Sequence, residues 1–412
     1  MSDILVVNSG SSSIKFALFA HSGSDALTLA NIKLRYSGHF SGLSGGQPNV
    51  ALKDHAGQRL LDTGLKPAPD HDDALAQLCD WLSGVWLSTQ NGELELLGVG
   101  HRVVHGGRDF QAPLRVNSDD VRALEQFSCL APLHQPYCLA PITQLSKQLP
   151  GVPQVACFDT AFHAQQSELL RRYALPRGLG ERGLLRYGFH GLSYDYIQRV
   201  LEEYLPLEAP RGRVIVAHLG NGASLCGIQN GQSVASTMGF SALEGLPMGT
   251  RSGSVDPGLI LHLLDHEGMS TADVSDLLYR RSGLLGMSGI SGDMQVLLTS
   301  DAPEAVEAIE LYCHRIAHEI GGLAADLGGV DQLIFTAGIG ENAAEIRARV
   351  ISRCAWLGAE LDSDANAQHG PCISKPSSHL GVWVIPTDEA KMIAWHTLTL
   401  LDSCSAEPSA NQ

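Results

Sequence analysis

Two stretches of this chain share one grammar. Ile4 to Phe19, ILVVNSGSSSIKFALF, and Val214 to Gly231, VIVAHLGNGASLCGIQNG, each read as an apolar run, a cluster of Gly, Ser and Asn, and a second strand-like run. Short apolar runs joined by turn residues predict β-hairpins. The two copies begin 210 residues apart in a chain of 412. Half a chain between matching hairpins predicts a duplicated domain, and the length exceeds the ~150 residues of an average single domain.

The rest of the pattern alternates strand and helix. A Gly/Ser/Pro-rich excursion runs from Phe40 to Pro48. LLGVGHRVVHGG and VPQVACFDTAFH read as strands, and Ser118 to Phe127 as a helix. The clearest helix is Pro303 to Leu327, where Val306, Ile309, Cys313, Ile316, Ile320, Leu323 and Leu327 recur at three- and four-residue steps before Gly328-Gly329. Leu333 to Arg347, LIFTAGIGENAAEIR, reads as a strand, a glycine turn and a helix start, a geometry that aims backbone N–H groups at a ligand. Alternation of this kind indicates an α/β fold.

Charge narrows the function. Asp and Glu number 44 against 28 Lys and Arg, a formal charge of −16, so the chain repels nucleic-acid backbones and no nucleic-acid partner is expected. An anionic substrate must then be caught by local cations, a metal or backbone N–H groups. Nine scattered cysteines without a C-x-x-C pair suit a reducing compartment. No run of about 18 apolar residues suggests a membrane span, and the expected location is the cytoplasm.

Three glycine-bearing turns follow apolar strands and could cradle phosphate: Asn8 to Ser13, Gly220 to Ser224 and Gly338 to Asn342. Each alone is more often an ordinary turn. No G-x-x-x-x-G-K-[ST] is present, which excludes a Walker-type loop. GIGENA, Gly338 to Ala343, satisfies the dinucleotide pattern, yet no acidic strand end follows at the expected ~20 residues. GLSGG, Gly42 to Gly46, matches a nucleophile-elbow pattern but lacks an evident buried strand before it. His314 and His318 share a helical face without an indicated third metal ligand. Arg102, His105 and Arg251 sit beside glycines at segment ends, read either as surface ion pairs or as an anion clamp. Asp159 and His218 follow apolar strands, where a polar residue is either hydrogen-bonded core or functional.

Taken in order, the blocks NSGSSSIKF, HRVVHGG, APLH, FDTAFH, RYGFHG, HLGNGAS, LEGL, MGTRSG, SGLLGMSG, FTAGIGEN and PTDEA run through nearly the whole chain. In these the sequence resembles the acetate kinases and their propionate-preferring relatives, in the superfamily of sugar kinases, Hsp70 and actin. The resemblance implies an α/β fold of two duplicated ribonuclease-H-like domains, the actin-like ATPase fold, with an active site in the interdomain cleft. Its expected division is 1–160 with a returning C-terminal helix in 387–412, and 161–386. It implies phosphorylation of acetate, or alternatively of propionate or another short-chain acid, with ATP/ADP and Mg²⁺ (or Mn²⁺ in its place), in a homodimer.

Carried over by matching motif, Asn8 and Glu389 would hold the metal, and Ser11, Ser13 and Lys15 would lie in the first phosphate loop. His218, Leu219, Gly220, Asn221 and Gly222 would form the second. Asp293, Met294, Gln295, Gly338, Ile339, Gly340, Glu341 and Asn342 would surround the adenosine. Arg102, Val104, His134 and Phe189 would meet the acid, with Asp159, His190 and Arg251 catalytic. Gln135 stands where the family pattern has Asn, Tyr194 where it has His, Gln295 where it has Arg, and Ala242 where it has Pro.

Overall fold

The computed structural model describes residues 2–405 except 24–25, 44, 61–62, 89–94, 133 and 208. The chain divides into two compact units, Met1–Ala161 with Asp388–Gln412, and Phe162–Thr387.

In the first unit, β1 (Ser2–Ser9), β2 (Ser13–His21), β3 (Lys33–Ser41), β4 (Asn49–Asp54), β5 (Glu95–Val103), β6 (Leu114–Arg115) and β7 (Gln154–Phe158) form one sheet. Its order is β4-β3-β2-β1-β5-β7-β6. Strands β1, β5 and β7 run parallel and the remaining pairs antiparallel. The central strand β1 is buried from Asp3 to Val7, as expected of a strand covered on both faces. One face packs Leu5, Val7, Phe16 and Val99 against Leu75, Leu78 and Leu82 of helix His71–Ser88 and Leu145 of helix Gln135–Gln148. On β5, a Cβ at Gly100 would lie 2.4 Å from Thr397 Oγ1, and one at Gly98 would lie 2.7 Å from Leu401. Those two glycines let the C-terminal helix, Glu389–Ser405, lie directly on the sheet.

The second unit repeats the plan. Strands β8 (Arg213–Leu219), β9 (Ala223–Gln229), β10 (Gln232–Ser236), β11 (Gln332–Thr336) and β12 (Gly381–Val384) follow the order β10-β9-β8-β11-β12. Strands β8, β11 and β12 are parallel, and the β8–β9–β10 meander is antiparallel. Position for position this is β3-β2-β1-β5-β7, so the duplication extends beyond the two hairpins to whole mixed sheets.

Helix Pro303–Leu327 has the boundaries expected of it, with Pro at its start and Gly328 left-handed at its end. Val306 differs: it is 45% exposed, because Ala305, Ala308 and Ile309 carry the buried face in the first turns. The stretch Phe40 to Pro48 spans parts of an antiparallel hairpin, β3 with β4. The residues before GLSGG are therefore a strand after all. Its sequence hides it, because most of its side chains are only half-buried and Gly38 leaves room for the Phe16 ring, which would lie 2.4 Å from any Cβ carried there. Ser44 of that motif lies outside the described residues. No disulfide joins any of the eight described cysteines. No described helix is long and apolar enough to cross a membrane.

Candidate active site

In the first unit the parallel strands β1, β5 and β7 end together, the edge at which open α/β sheets bind ligands. Asn8 lies one residue before the end of β1, and Arg102 one residue before the end of β5. Asp159 directly follows β7, and Glu389 opens the C-terminal helix. Arg102 Nε donates to both carboxylate oxygens of Asp159 at 3.1 Å, and Nη2 donates to Oδ2 at 2.6 Å. Its Nη1 reaches Asn8 Oδ1 at 3.5 Å. Burial disfavours the charge on Arg102, but Asp159, and after it Glu389, outweigh that and hold the guanidinium protonated. Arg102 retains 21% side-chain exposure while Asp159 has 1%. The pair is thus an oriented, partly buried cation, not a mobile surface ion pair.

Around this pair, Val104 is buried beyond β5. His134 precedes helix Gln135–Gln148. Ser11 and Lys15 are exposed and Ser13 half-buried, in the turn and first residues of β2. His105 is not part of an anion clamp: it is fully buried, accepts from the Gly107 N–H through Nδ1 at 2.8 Å and stacks on Phe127. Burial pushes its imidazole down to about 4. Gln135 explains itself structurally, since its amide accepts from the His105 N–H and donates to the His105 carbonyl. This clamps the helix start to the segment after β5.

The second unit presents a different chemistry. His218 lies one residue before the end of β8, Gly220 to Gly222 turn, and Ala223 opens β9. His190, left-handed with φ 58°, precedes helix Gly191–Tyr204. Its ring stacks on His218 with centroids 4.2 Å apart and planes 15° from parallel. A Cβ at Gly222 would lie 3.2 Å from His190 Nε2, so only a glycine leaves this approach free. Asn221 is tied on through its carbonyl to the Gly249 N–H, and Gly249 packs directly on Gly292 beside Asp293. The Asp293 carboxylate caps the short helix Met294–Leu298 by accepting from the Gln295 N–H; Met294 is buried and the Gln295 side chain is exposed. Arg251 donates through Nη1 to the Ala242 carbonyl at 3.0 Å. Phe189 is buried, its carbonyl hydrogen-bonded to His163 Nε2.

The segment Gly338 to Asn342 corrects its sequence reading. It is a short helix, Ala337–Asn342, entered directly from β11 through Ala337 at φ 64°. The Glu341 carboxylate turns back to accept from the N–H groups of Ala337 and Thr387. The helix carbonyls of Gly340 and Glu341 are held by Arg347, a fully buried guanidinium. Nothing within 4 Å would obstruct a Cβ at Gly338, whereas Gly340 packs on β8. Ile339 lies between them, half-buried. His314 and His318 are exposed, and no group of three or more His, Cys, Asp or Glu suited to a metal occurs among the described residues.

The acetokinase family model matches residues 3–395. The chain belongs to this family. It is 50% identical over 406 residues to an acetate kinase of Rhodopseudomonas palustris, covering 98% of this chain and 99% of that protein. An acetate kinase of Methylocella silvestris is 46% identical over 409 residues, with 98% and 99% covered. The crystal structure of the Porphyromonas gingivalis acetate kinase superposes with a TM-score of 0.82 at 36% identity, covering 97% of this chain and 100% of that one. A propionate kinase from Francisella tularensis gives 0.85 at 34% identity, with 96% and 99% covered. The fold is therefore that of the acetokinases, and the protein is an ATP-using kinase. Sequence reasoning missed Ser193, Arg347 and Thr387, which touch the matched motifs. A single hydroxyl or arginine carries no pattern of its own.

Proposed function

We propose that the protein transfers the γ-phosphoryl group of ATP to acetate, reversibly and by direct in-line displacement, giving ADP and acetyl phosphate. The observation that carries this reading is the Arg102–Asp159 pair, a cation held in fixed orientation at the ligand-binding edge of an otherwise acidic protein. Acid and nucleotide are both anions. Two unit charges 4 Å apart repel by about 4 kcal/mol at an effective dielectric of ~20, about three powers of ten in rate. A forked guanidinium matches a carboxylate in shape and charge.

On this reading Arg102 binds the acid carboxylate, with Val104 and Phe189 against its apolar end and His134 beside it. Asp159 orients Arg102. Because a carboxylic acid is already ionised at neutral pH, no residue need remove a proton from it. His190 and Arg251 donate to the oxygens of the transferring group, where charge stabilisation is the main catalytic contribution. The N–H groups of Gly220 to Gly222, with His218 and Leu219, receive the phosphates, as do Ser11, Ser13 and Lys15. The adenosine side is assigned to Asp293, Met294, Gln295 and Gly338 to Asn342.

Asn8 and Glu389 fit Mg²⁺, which takes one or two protein oxygens and otherwise waters and phosphate. Both offer hard oxygen donors in the first unit, and Glu389 is close enough to act on the charge of Arg102. When bound, the ion would supply charge neutralisation at the phosphate oxygens.

The proposed functional form is a cytoplasmic homodimer. Helix Pro257–Asp265 supports it: no residue of this leucine-rich helix is buried, and Leu259 and Leu261 are 46% and 60% exposed. Such a face calls for a partner.

Trapping with hydroxylamine tests the reaction, because an acyl phosphate yields a hydroxamate and a sugar phosphate does not. ATP-dependent hydroxamate from acetate is expected. The same assay with formate, propionate and butyrate determines the acyl length at the Ala242 departure. No hydroxamate from any of these acids would sink the proposal.

A further inference from the structure

The hydrogen-bond order around the stacked imidazoles fixes more than their positions. Ser224 is fully buried, and its hydroxyl lies 2.8 Å from His190 Nδ1 and within a short hydrogen bond of the Tyr194 hydroxyl. Tyr194 is itself fully buried. Between these three groups Ser224 has one proton to give and lone pairs to accept with. A phenol is the more acidic hydroxyl and the better donor. The order that uses the better donor has Tyr194 donating to Ser224 Oγ and Ser224 donating to His190 Nδ1. A neutral imidazole that accepts at Nδ1 carries its proton on Nε2, and Nε2 is the atom packed over Gly222.

The neighbouring ring has the opposite arrangement. Ser193 donates to the Thr387 hydroxyl at 2.9 Å, which uses its only proton. His218 Nδ1, 2.8 Å from Ser193 Oγ, must then be the donor. In this order the two stacked rings hold opposite tautomers, each set by a different serine.

The geometry points to Tyr194 as a positioning residue that, through Ser224, keeps His190 as the neutral Nε2–H tautomer and so turns a hydrogen-bond donor toward the glycine loop. Its consequence for catalysis rests on the phosphoryl-transfer reading above; the tautomer itself does not. This gives a role to the tyrosine that departs from the family pattern. It acts on His190 through one intervening hydroxyl.

The test is ¹⁵N spectroscopy of histidine-labelled full-length protein, with His190→Gln and His218→Gln identifying the two rings. In the wild type, His190 is expected to show an unprotonated Nδ1 and a protonated Nε2, and His218 the reverse. Tyr194→Phe removes one oxygen and keeps the ring that lies against His163 and His218. It should convert His190 to a mixture of tautomers and lower kcat about five- to tenfold, the scale of one lost hydrogen bond, with KM for ATP and acetate within twofold of wild type. Ser224→Ala, which cuts the relay at its middle, should abolish the tautomer preference even if Tyr194→Phe proves hard to fold. A protonated Nδ1 on wild-type His190, or an unchanged His190 tautomer in both variants, overturns the proposal. A correct tautomer with no hydroxamate formed supports the positioning role and instead refutes the proposed activity.

Discussion

The two units share a sheet plan but arm it differently. In the first, the residues at the strand ends form a charge cluster: a guanidinium gripped by Asp159, touched by Asn8 and biased by Glu389. In the second, the equivalent edge is built from stacked imidazoles, serine and threonine hydroxyls and glycine backbone. A duplicated scaffold therefore dictates where a site forms, not what it is made of. On the proposed reading the first set would recognise by charge and should respond to its loss. The second would recognise by geometry and should respond to displacement of a few tenths of an ångström.

The largest effect is expected at Arg102. Arg102→Ala should lower kcat/KM for acetate by about three powers of ten, the scale of the anion repulsion it offsets. Arg102→Lys should recover little, because an ammonium lacks the fork. Steady-state kinetics checks both, and a loss below tenfold would erase the contrast between the units.

Acid should strike the neutral set through its support. His163, fully buried, lies between Ser233 Oγ and the Phe189 carbonyl, and burial pushes its imidazole down to about 4 from 6.5. Below pH 6.5 the unfolded chain takes up a proton that the folded one refuses until about pH 4. The stability this neutral histidine contributes is whole above pH 6.5 and falls by ~3 kcal/mol as pH drops toward 4, at about 1.36 kcal/mol per unit. Denaturant unfolding at about pH 7 and about pH 4.5 measures this loss together with that of His101 and His105, which burial likewise pushes down to about 4, and His163→Gln should remove the His163 share of it.

Asp159→Asn comes next, with kcat falling about a hundredfold. The amide cannot grip Arg102 as a carboxylate does, and the guanidinium would lose its orientation. If turnover vanished while the Arg102 geometry and Mg²⁺ affinity stayed as in the wild type, the positional role of Asp159 would be wrong.

What the sequence discloses follows the same division. Continuous apolar strands such as β1 and β8, and the long helix Pro303–Leu327, were legible because burial on one or both faces leaves a periodic trace. The half-buried hairpin of β3 and β4 left none. At the site, motif residues such as Arg102, Asp159 and His218 could be singled out because they end apolar runs. Ser193 and Thr387 could not, since a hydroxyl is meaningful only through its partners, and these lie up to 194 residues away in sequence. Gly338 to Asn342 reads as a loop by composition but is helical, because Arg347 and Glu341 satisfy its ends from inside.

Two glycines give the smallest and sharpest tests of the geometric set. Gly222→Ala would place a methyl 3.2 Å from His190 Nε2, tighter than an ordinary van der Waals contact. The ring cannot easily retreat, being stacked on His218 and bonded to Ser224. About a tenfold loss in kcat is expected, on the order of 1.4 kcal/mol. Gly338→Ala is the control, since its methyl enters open space in the protein alone. Folding stability should rise slightly or stay level, alanine being the better helix former. Any increase in KM for ATP must then come from the nucleotide meeting that methyl, and an increase of about two- to threefold is expected. Unchanged ATP kinetics would move the adenosine away from Gly338, leaving the glycine without a ligand to justify it.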